Sequence, residues 1–363
     1  MTATGSPTRD TTPAPTGLDC ESLVNLGDRF SGATGDPHYS GRCYPHVQSL
    51  NATNLPGRDD SVAVFVGGNY IGERAAEVEG NVVILGDLEV NPNGPGNFVS
   101  VGAGTHVLPN SGGDCIIVGG DISADREIQV FNQDPSMYCD IVYRGNSRNS
   151  YRWRTNGAMR HEPDYDLSYY EKMKYVLAKK SQFWKTLPST GEVNSQWGQT
   201  TYQCSNDDDV QIFNVLPDEL RKVDSNTDII FSDSCEGKTV LINVHGTGDI
   251  GVNAGGMFFR GGLGHGEDGF STCMTQSILW NFPDAASVDI GNGRTSEFHG
   301  SLLVAGDLTL GTSGHSGRAI VLGNILHDSD AGSEFHSYPF APPTPLPDPG
   351  DVCELPPSWR SMI

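Results

Sequence analysis

Apolar residues come in short runs along much of this chain, each closed by glycine and then by aspartate or asparagine. The pattern is plainest in "VFVGGNYI" (64–71), "VVILGDLEV" (82–90), "CIIVGGDIS" (115–123), "SLLVAGDLTL" (301–310) and "AIVLGNIL" (319–326). The glycine before the Asp or Asn advances from Gly68 to Gly86, a step of 18, then to Gly120, a step of 34, and from Gly306 to Gly323, a step of 17. A period of this size suits one coil of a parallel β-solenoid, with short strands and a corner of Gly and Asx residues that tolerate positive φ. Strands buried on stacked coils should be short and rich in Val, Ile and Leu, as these are. The expected fold is therefore mainly β, a right-handed parallel β-solenoid over residues 61–340.

One segment breaks the β pattern. "DYDLSYYEKMKYVLAKKSQFWKTLP" (164–188) sets Tyr169, Met173, Val176, Leu177, Trp184 and Leu187 on one helical face. This spacing predicts one α-helix over about 166–187, capped by Asp164 or Asp166, stopped by Pro188 and packed alongside the solenoid. Its lysines, Lys172, Lys174, Lys179, Lys180 and Lys185, are expected to form a solvated face. Residues 1–19, rich in Thr, Pro, Ser and Gly, read as a flexible linker, residues 20–60 as a segment packed on the solenoid, and residues 341–363 as a Pro-rich tail.

Composition narrows the partners. With 45 acidic against 23 basic residues the chain carries a formal charge of −22, which repels nucleic acid and anionic lipid and favours divalent cations or basic partners. No apolar run reaches membrane-spanning length, so membrane insertion is not expected. Asp207, Asp208 and Asp209 of "NDDDV" are the candidate calcium ligands, with solvated acidic loops as the simpler account, and no other cofactor is expected. Eight cysteines, Cys20, Cys43, Cys115, Cys139, Cys204, Cys235, Cys273 and Cys353, lack CxxC or His/Cys ligand spacing. They are disulfide candidates for an oxidising compartment, with the pairing open. The opening residues have no apolar signal-peptide core, so a secreted protein would be read here as a mature or excised piece. Asn51 in "NAT" is a glycosylation candidate.

In its second half the chain resembles the choice-of-anchor A domain, a bacterial surface and secreted module regarded as adhesive. The resemblance is carried by "TVLINVHGTG" (239–248), "ILWNFPDAASVDIG" (278–291), "FHGSLLVAGDLTL" (298–310) and "EFHSYPF" (334–340), with "FNV" (213–215) before them. It implies a secreted adhesion or matrix protein with extracellular polysaccharide, other adhesive matrix proteins or solid surfaces as partners. The eight cysteines depart from that pattern. "LPSTG" (187–191) fits a sortase signal letter for letter, but it ends the helix with no apolar tail behind it. It is not expected to anchor the protein.

The chain has three Asp-Pro bonds, at Asp36-Pro37, Asp134-Pro135 and Asp348-Pro349, and only the first lies in "GDPH". An Asp carboxyl can attack its own main-chain carbonyl to give a cyclic anhydride, and proline nitrogen is a good leaving group. Asp36 would be the internal nucleophile, Pro37 the leaving group, His38 the proton donor or orienter, and Gly35 the hinge for an unusual backbone angle. The tetrapeptide resembles the self-cleaving site of mucin and von Willebrand D domains and of repulsive guidance molecules. GDPH together with the choice-of-anchor A pattern resembles diatom adhesive-trail proteins, which implies acid-promoted cleavage between Asp36 and Pro37 and an anhydride able to crosslink. Cys20 and Cys43 bracket that bond and, if paired, would hold both fragments.

Two other classes remain open. An ice-binding solenoid should repeat Thr ranks coil after coil, and no Thr-x-Thr recurs at the coil step. A carbohydrate-active β-helix needs two carboxylates across a cleft, and no pair is marked out. No turnover catalysis is therefore expected.

Overall fold

The computed structural model describes residues 61–349, apart from 74–76, 91–98, 103–108, 110–111, 126, 132–136, 221–226, 253, 260–271, 292–296, 312–313 and 330–331. The apolar triplets form the first of three long sheets, ten parallel strands deep. From one end these are Val210–Val215, Thr239–Val244, Ile278–Phe282, Ser301–Val304, Ala319–Val321, Val62–Val66, Asn81–Ile84, Gly113–Val118, Cys139–Tyr143 and Met159–His161. A second sheet of eight strands runs from Asp249–Val252 to Ser147–Arg148. A third, of seven, runs from Phe298–His299 to Trp153–Thr155. The molecule is thus a mainly β parallel solenoid, as the repeat predicts.

Stacking order and chain order differ. The first strand, Val62–Val66, pairs with the last strand of the same sheet, Ala319–Val321, in mid-solenoid. From this seam the chain winds out to Met159–His161, crosses the outside as the helix Ser168–Trp184, and restarts at the opposite end. Seventeen helical residues span about 25 Å, roughly five strand spacings. The arrangement is an unbroken solenoid opened in the middle and joined end to end by the helix. At the restart, a hairpin of Glu192–Gln196 and Gln199–Gln203 leads a four-stranded sheet that adjoins the third face. Its two-residue turn places both Trp197 and Gly198 at positive φ (49° and 84°), the geometry that matches strand twist.

The first sheet is buried on both faces, which is why its sequence is continuously apolar. Val64, Val66, Val82, Ile84, Ile116 and Val118 point into the solenoid. Phe65, Val83, Ile117, Leu241, Leu279, Leu303 and Ile320 lie in a separate layer under Met173, Val176, Leu177 and Trp184 of the helix. In the second sheet, by contrast, Leu88 and Val90 are buried and Glu89 between them is not.

The helix departs from expectation in two respects. Tyr170, which the predicted face omits, is its buried tyrosine while Tyr169 packs on the same layer only partly buried, and the solvated lysine face is incorrect for most of its members. Lys180 is buried and faces the Asp348 carboxylate at 3.7 Å, Lys174 donates to the main-chain oxygen of Gly67 at 2.7 Å, and Lys185 pairs with Asp284. The lysines are anchors because the helix lies between the first sheet and residues 340–349. That closing segment packs Phe340 and Leu346, and the Trp184 indole donates to the oxygen of Pro347 at 2.7 Å. Asp166 does serve the helix start, accepting from the Ser168 amide at 2.9 Å.

Helix ends leave carbonyls without intrahelical partners. Here the asparagines of "FNV", "INV" and "WNF" serve this end: Asn243 donates to Trp184 O at 2.8 Å, Asn281 to Ser181 O, which also accepts from the Lys185 amide, at 3.0 Å, and Asn214 to Leu187 O beyond the helix at 2.9 Å. Asn281 also donates to Asn243, and Asn243 to Asn214, so the three form a ladder. "LPSTG" covers the edge of Val210–Val215: Thr190 N donates to Ile212 O, Thr190 Oγ1 accepts from Ile212 N, and Ser189 Oγ accepts from Asn214 N. Two disulfides staple neighbouring coils, Cys115–Cys139 and Cys204–Cys235.

Candidate functional site

With the first face covered, surface chemistry falls to the second and third faces. Where the first sheet turns into the second, the Gly-Asx repeat becomes a ladder. Asp307, Asn324, Asn69, Asp87 and Asp121 each accept, through Oδ1, the main-chain amide of the Asx one coil on, at 2.7–2.9 Å, ending at Asn146. The glycines beneath bond in the same order, Gly68 N to Gly323 O, Gly86 N to Gly68 O and Gly120 N to Gly86 O. Glycine is required by space: a Cβ on Gly86 would lie 2.1 Å from Asn69 Oδ1, and one on Gly120 2.0 Å from Asp87 Oδ1. The ladder holds the coils of the second face in register.

On that face the outward row reads Gly251, Asp289, Thr309, Leu326, Ile71, Glu89, Ser123, Arg148, each in register with the next. No side chain type repeats in successive coils, so the row offers mixed apolar, hydroxyl and charged contacts instead of a lattice.

The third face carries the densest titratable chemistry, where first and last coils pair. Glu77–Val78 lies against Glu334–His336, and Phe298–His299 and His315–Ser316 complete the patch. His336 Nδ1 donates to Glu79 Oε1 at 3.1 Å, and its Nε2 faces Glu334 at 3.5 Å and Glu297 at 3.8 Å. Ser316 donates to Glu297 at 2.6 Å, and the Ser337 amide to Glu79 at 3.0 Å. Burial alone would lower the pKa of His336, but the Glu79 hydrogen bond and the Glu297, Glu79 and Glu334 charges push it up to about 10. Burial, then the charges of Glu79 and Glu334, raise Glu77 to about 8, and burial raises Glu297. At neutral pH the patch therefore holds a cationic His336 among carboxylates, with Glu77 protonated. Burial depresses His315 and His327, inside the wall, to about 4, and the half-buried His299, in register with Ser316, to about 3. The cluster ties the two halves of the chain together across the seam.

The solenoid from residue 63 to 337 matches a family model described as "Putative Ice-binding-like adhesive domain". The chain belongs to this family. No curated protein and no solved structure matches it.

In this ice-binding-like adhesive domain the sequence-predicted sites are scattered. Gly35, Asp36, Pro37, His38, Asn51, Cys20, Cys43 and Cys353 lie outside the described residues, as does Asp134-Pro135. Asp207, Asp208 and Asp209 are exposed in the loop before Val210–Val215. Among the described residues no three His, Cys, Asp or Glu side chains are gathered as a metal site. Within the adhesive domain's first half a cavity of about 20 Å³ is lined by apolar groups, among them Val78, Leu88, Val101, Ile116 and Trp153. A water-sized apolar void of this kind stays dry. Sequence reasoning missed the third-face cluster and the sixth ladder residue. Asn146 of "YRGNS" carried the Gly-Asx signal, but Tyr143 and Arg144 stand before it where the other coils have Val or Ile and then Leu, Ala or Gly.

Proposed function

We propose that this protein is a secreted, extracellular adhesion or matrix protein. It lays the uncovered second face against polysaccharide, another matrix protein or a solid surface, and performs no turnover catalysis. The family match along the whole solenoid is the observation that carries this reading. A covered first face and a register-locked second face support it, because a preorganised surface binds an extended target at less ordering cost. The disulfides are compatible with an oxidising, extracellular setting. The test is adsorption of the purified protein to polysaccharide-coated and mineral surfaces by quartz-crystal microbalance. Ile71→Glu and Leu326→Glu should lower retention, whereas Lys179→Glu on the helix side should not. Equal retention by all three would refute use of this face.

The same proposal includes acid-promoted self-cleavage at Asp36-Pro37. An Asp36 carboxylate oxygen attacks the Asp36 carbonyl carbon, the C–N bond to Pro37 breaks, and the proline nitrogen takes up a proton. Water then opens the anhydride, or a neighbouring amine or hydroxyl captures it as an amide or ester crosslink. Asp348-Pro349 is an internal control, since its carboxylate faces Lys180. Intact mass after mild acid, with and without reduction, should show scission at Asp36-Pro37 alone, abolished in Asp36→Ala. A surviving bond would refute cleavage and leave adhesion standing. Ice binding is the second reading, favoured by the family description. The unrepeated outward row argues against it, and a thermal-hysteresis assay is expected to show none.

A further inference from the structure

The outermost segments at the two ends of the solenoid carry opposite charge, although Asp140, Glu162, Asp164 and Asp166 flank the basic one. The coil that ends in Met159–His161 contains Arg144, Arg148, Arg152, Arg154 and Arg160, and no Asp or Glu occurs from 141 to 161. At the other end, residues 186–220 hold Glu192, Asp207, Asp208, Asp209, Asp218 and Glu219 and no Lys or Arg before Arg221. This stretch supplies the outermost strands Val210–Val215 and Glu192–Gln196. The stacking order alone puts these two segments at opposite poles of one axis.

Both poles are dressed for contact. Arg148 and Arg154 are 64 % and 54 % exposed, and their partners Asp125 and Glu127 belong to the preceding coil and are themselves about half exposed. Exposed pairs of this kind exchange partners at little cost. Arg160, held by Asp114, Asp140 and Glu162, and Arg144, which donates to Pro163 O, brace the coil from behind. Opposite, Asp207, Asp208, Asp218 and Glu192 are exposed, and Lys238 reaches only the main-chain oxygen of Asp208. Each pole also presents an aromatic side chain: Trp197 is 93 % exposed on the acidic hairpin, and Tyr151 is 67 % exposed beside Arg152 on the basic coil. Tyr, Trp and Arg are the residues that anchor protein interfaces.

We propose that copies of this protein stack head to tail, the arginine-rich end coil of one seated on the acidic end of the next. Because the two surfaces differ and lie on one axis, the contact is heterologous and does not close, so it propagates as a filament. Side-by-side approach is opposed by the charge of −22 on each copy. End-to-end attraction acts within a Debye length of about 8 Å at physiological salt. "LPSTG" already covers the Val210–Val215 edge, so side chains make the joint there, with Trp197 placed to meet the arginines of the neighbour. The joint is independent of surface adhesion, which a monomer could perform.

Sedimentation velocity across protein concentrations tests this. The native protein should form concentration-dependent oligomers without a fixed size. Arg148→Glu/Arg154→Glu and Asp207→Lys/Asp208→Lys should each weaken association at least about tenfold. An equimolar mixture of the two variants should assemble again, because each supplies the charge that the other has lost at both joints. One chain carrying all four reversals should assemble again. Melting temperatures near native would show that the variants fold. A native protein that stays monomeric, variants that assemble like it, or reversed chains that fail to regain assembly would overturn the proposal. So would a monomer whose basic coil binds dextran sulfate.

Discussion

The Gly-Asx corner and the third-face cluster lie on the same coils but are built in opposite ways. In the corner, one residue type repeats, each side chain serves the next coil, and any rung resembles its neighbours. In the cluster nothing repeats: His336 and Glu334 of the last coil meet Glu77 and Glu79 of the first, and Glu297 joins from just before Phe298–His299. The corner distributes its bonds along the molecule. The cluster concentrates them at the one place where the chain closes on itself, so losing one member there should cost more than losing one rung.

The largest effect is expected from His336→Ala, which leaves Glu79, Glu297 and Glu334 facing one another without their cation. Urea unfolding should show a loss of about 3 kcal/mol. In the corner the sensitive residue is glycine. Gly86→Ala drives a Cβ to within 2.7 Å of the Gly68 carbonyl as well as onto Asn69, and should cost about 2 kcal/mol. Gly248→Ala, whose Cβ meets nothing within 4 Å, should stay within about 0.5 kcal/mol.

The pH dependence sharpens the contrast. Glu77, raised from 4.5 to about 8, keeps its proton longer in the folded state, so its contribution falls as pH rises between those values. His336, raised from 6.5 to about 10, stabilises fully below 6.5 and loses that contribution as pH rises toward 10. His299, His315 and His327, depressed to about 3, 4 and 4, act oppositely: the unfolded chain takes up their protons first as pH drops below 6.5. Melting temperature should therefore peak near pH 6.5. Glu77→Gln should flatten the fall above it without removing the His336 arm. Effects at the ladder side chains are smaller than those at the cluster. Asp87→Asn keeps the oxygen that accepts from Asp121 N and should be nearly neutral, whereas Asp87→Ala should cost about 1 kcal/mol.

The same contrast explains how much could be read beforehand. Gly68, Gly86, Gly306 and Gly323 betray the solenoid because one coil length separates corner residues in sequence as well as in space. His336 and Glu79 stand 257 positions apart, and only the seam brings them together. A periodicity cannot reveal that the first coil is neighbour to the last. The helix was legible from its spacing, but the burial of Lys180 depended on Asp348 returning from the chain's far end. "LPSTG" read as a stray signal because the edge strand it covers becomes an edge only in the stacked order.

The seam is the claim on which the shared faces, the cluster and the opposed ends all depend. Native-state hydrogen exchange on Val321→Ala tests it most directly, since Val321 is fully buried and pairs with both Val66 and Val304. The account predicts faster exchange in 62–66 together with 301–304, while 139–143 keeps its protection. Faster exchange in 301–304 with 62–66 unchanged would contradict it.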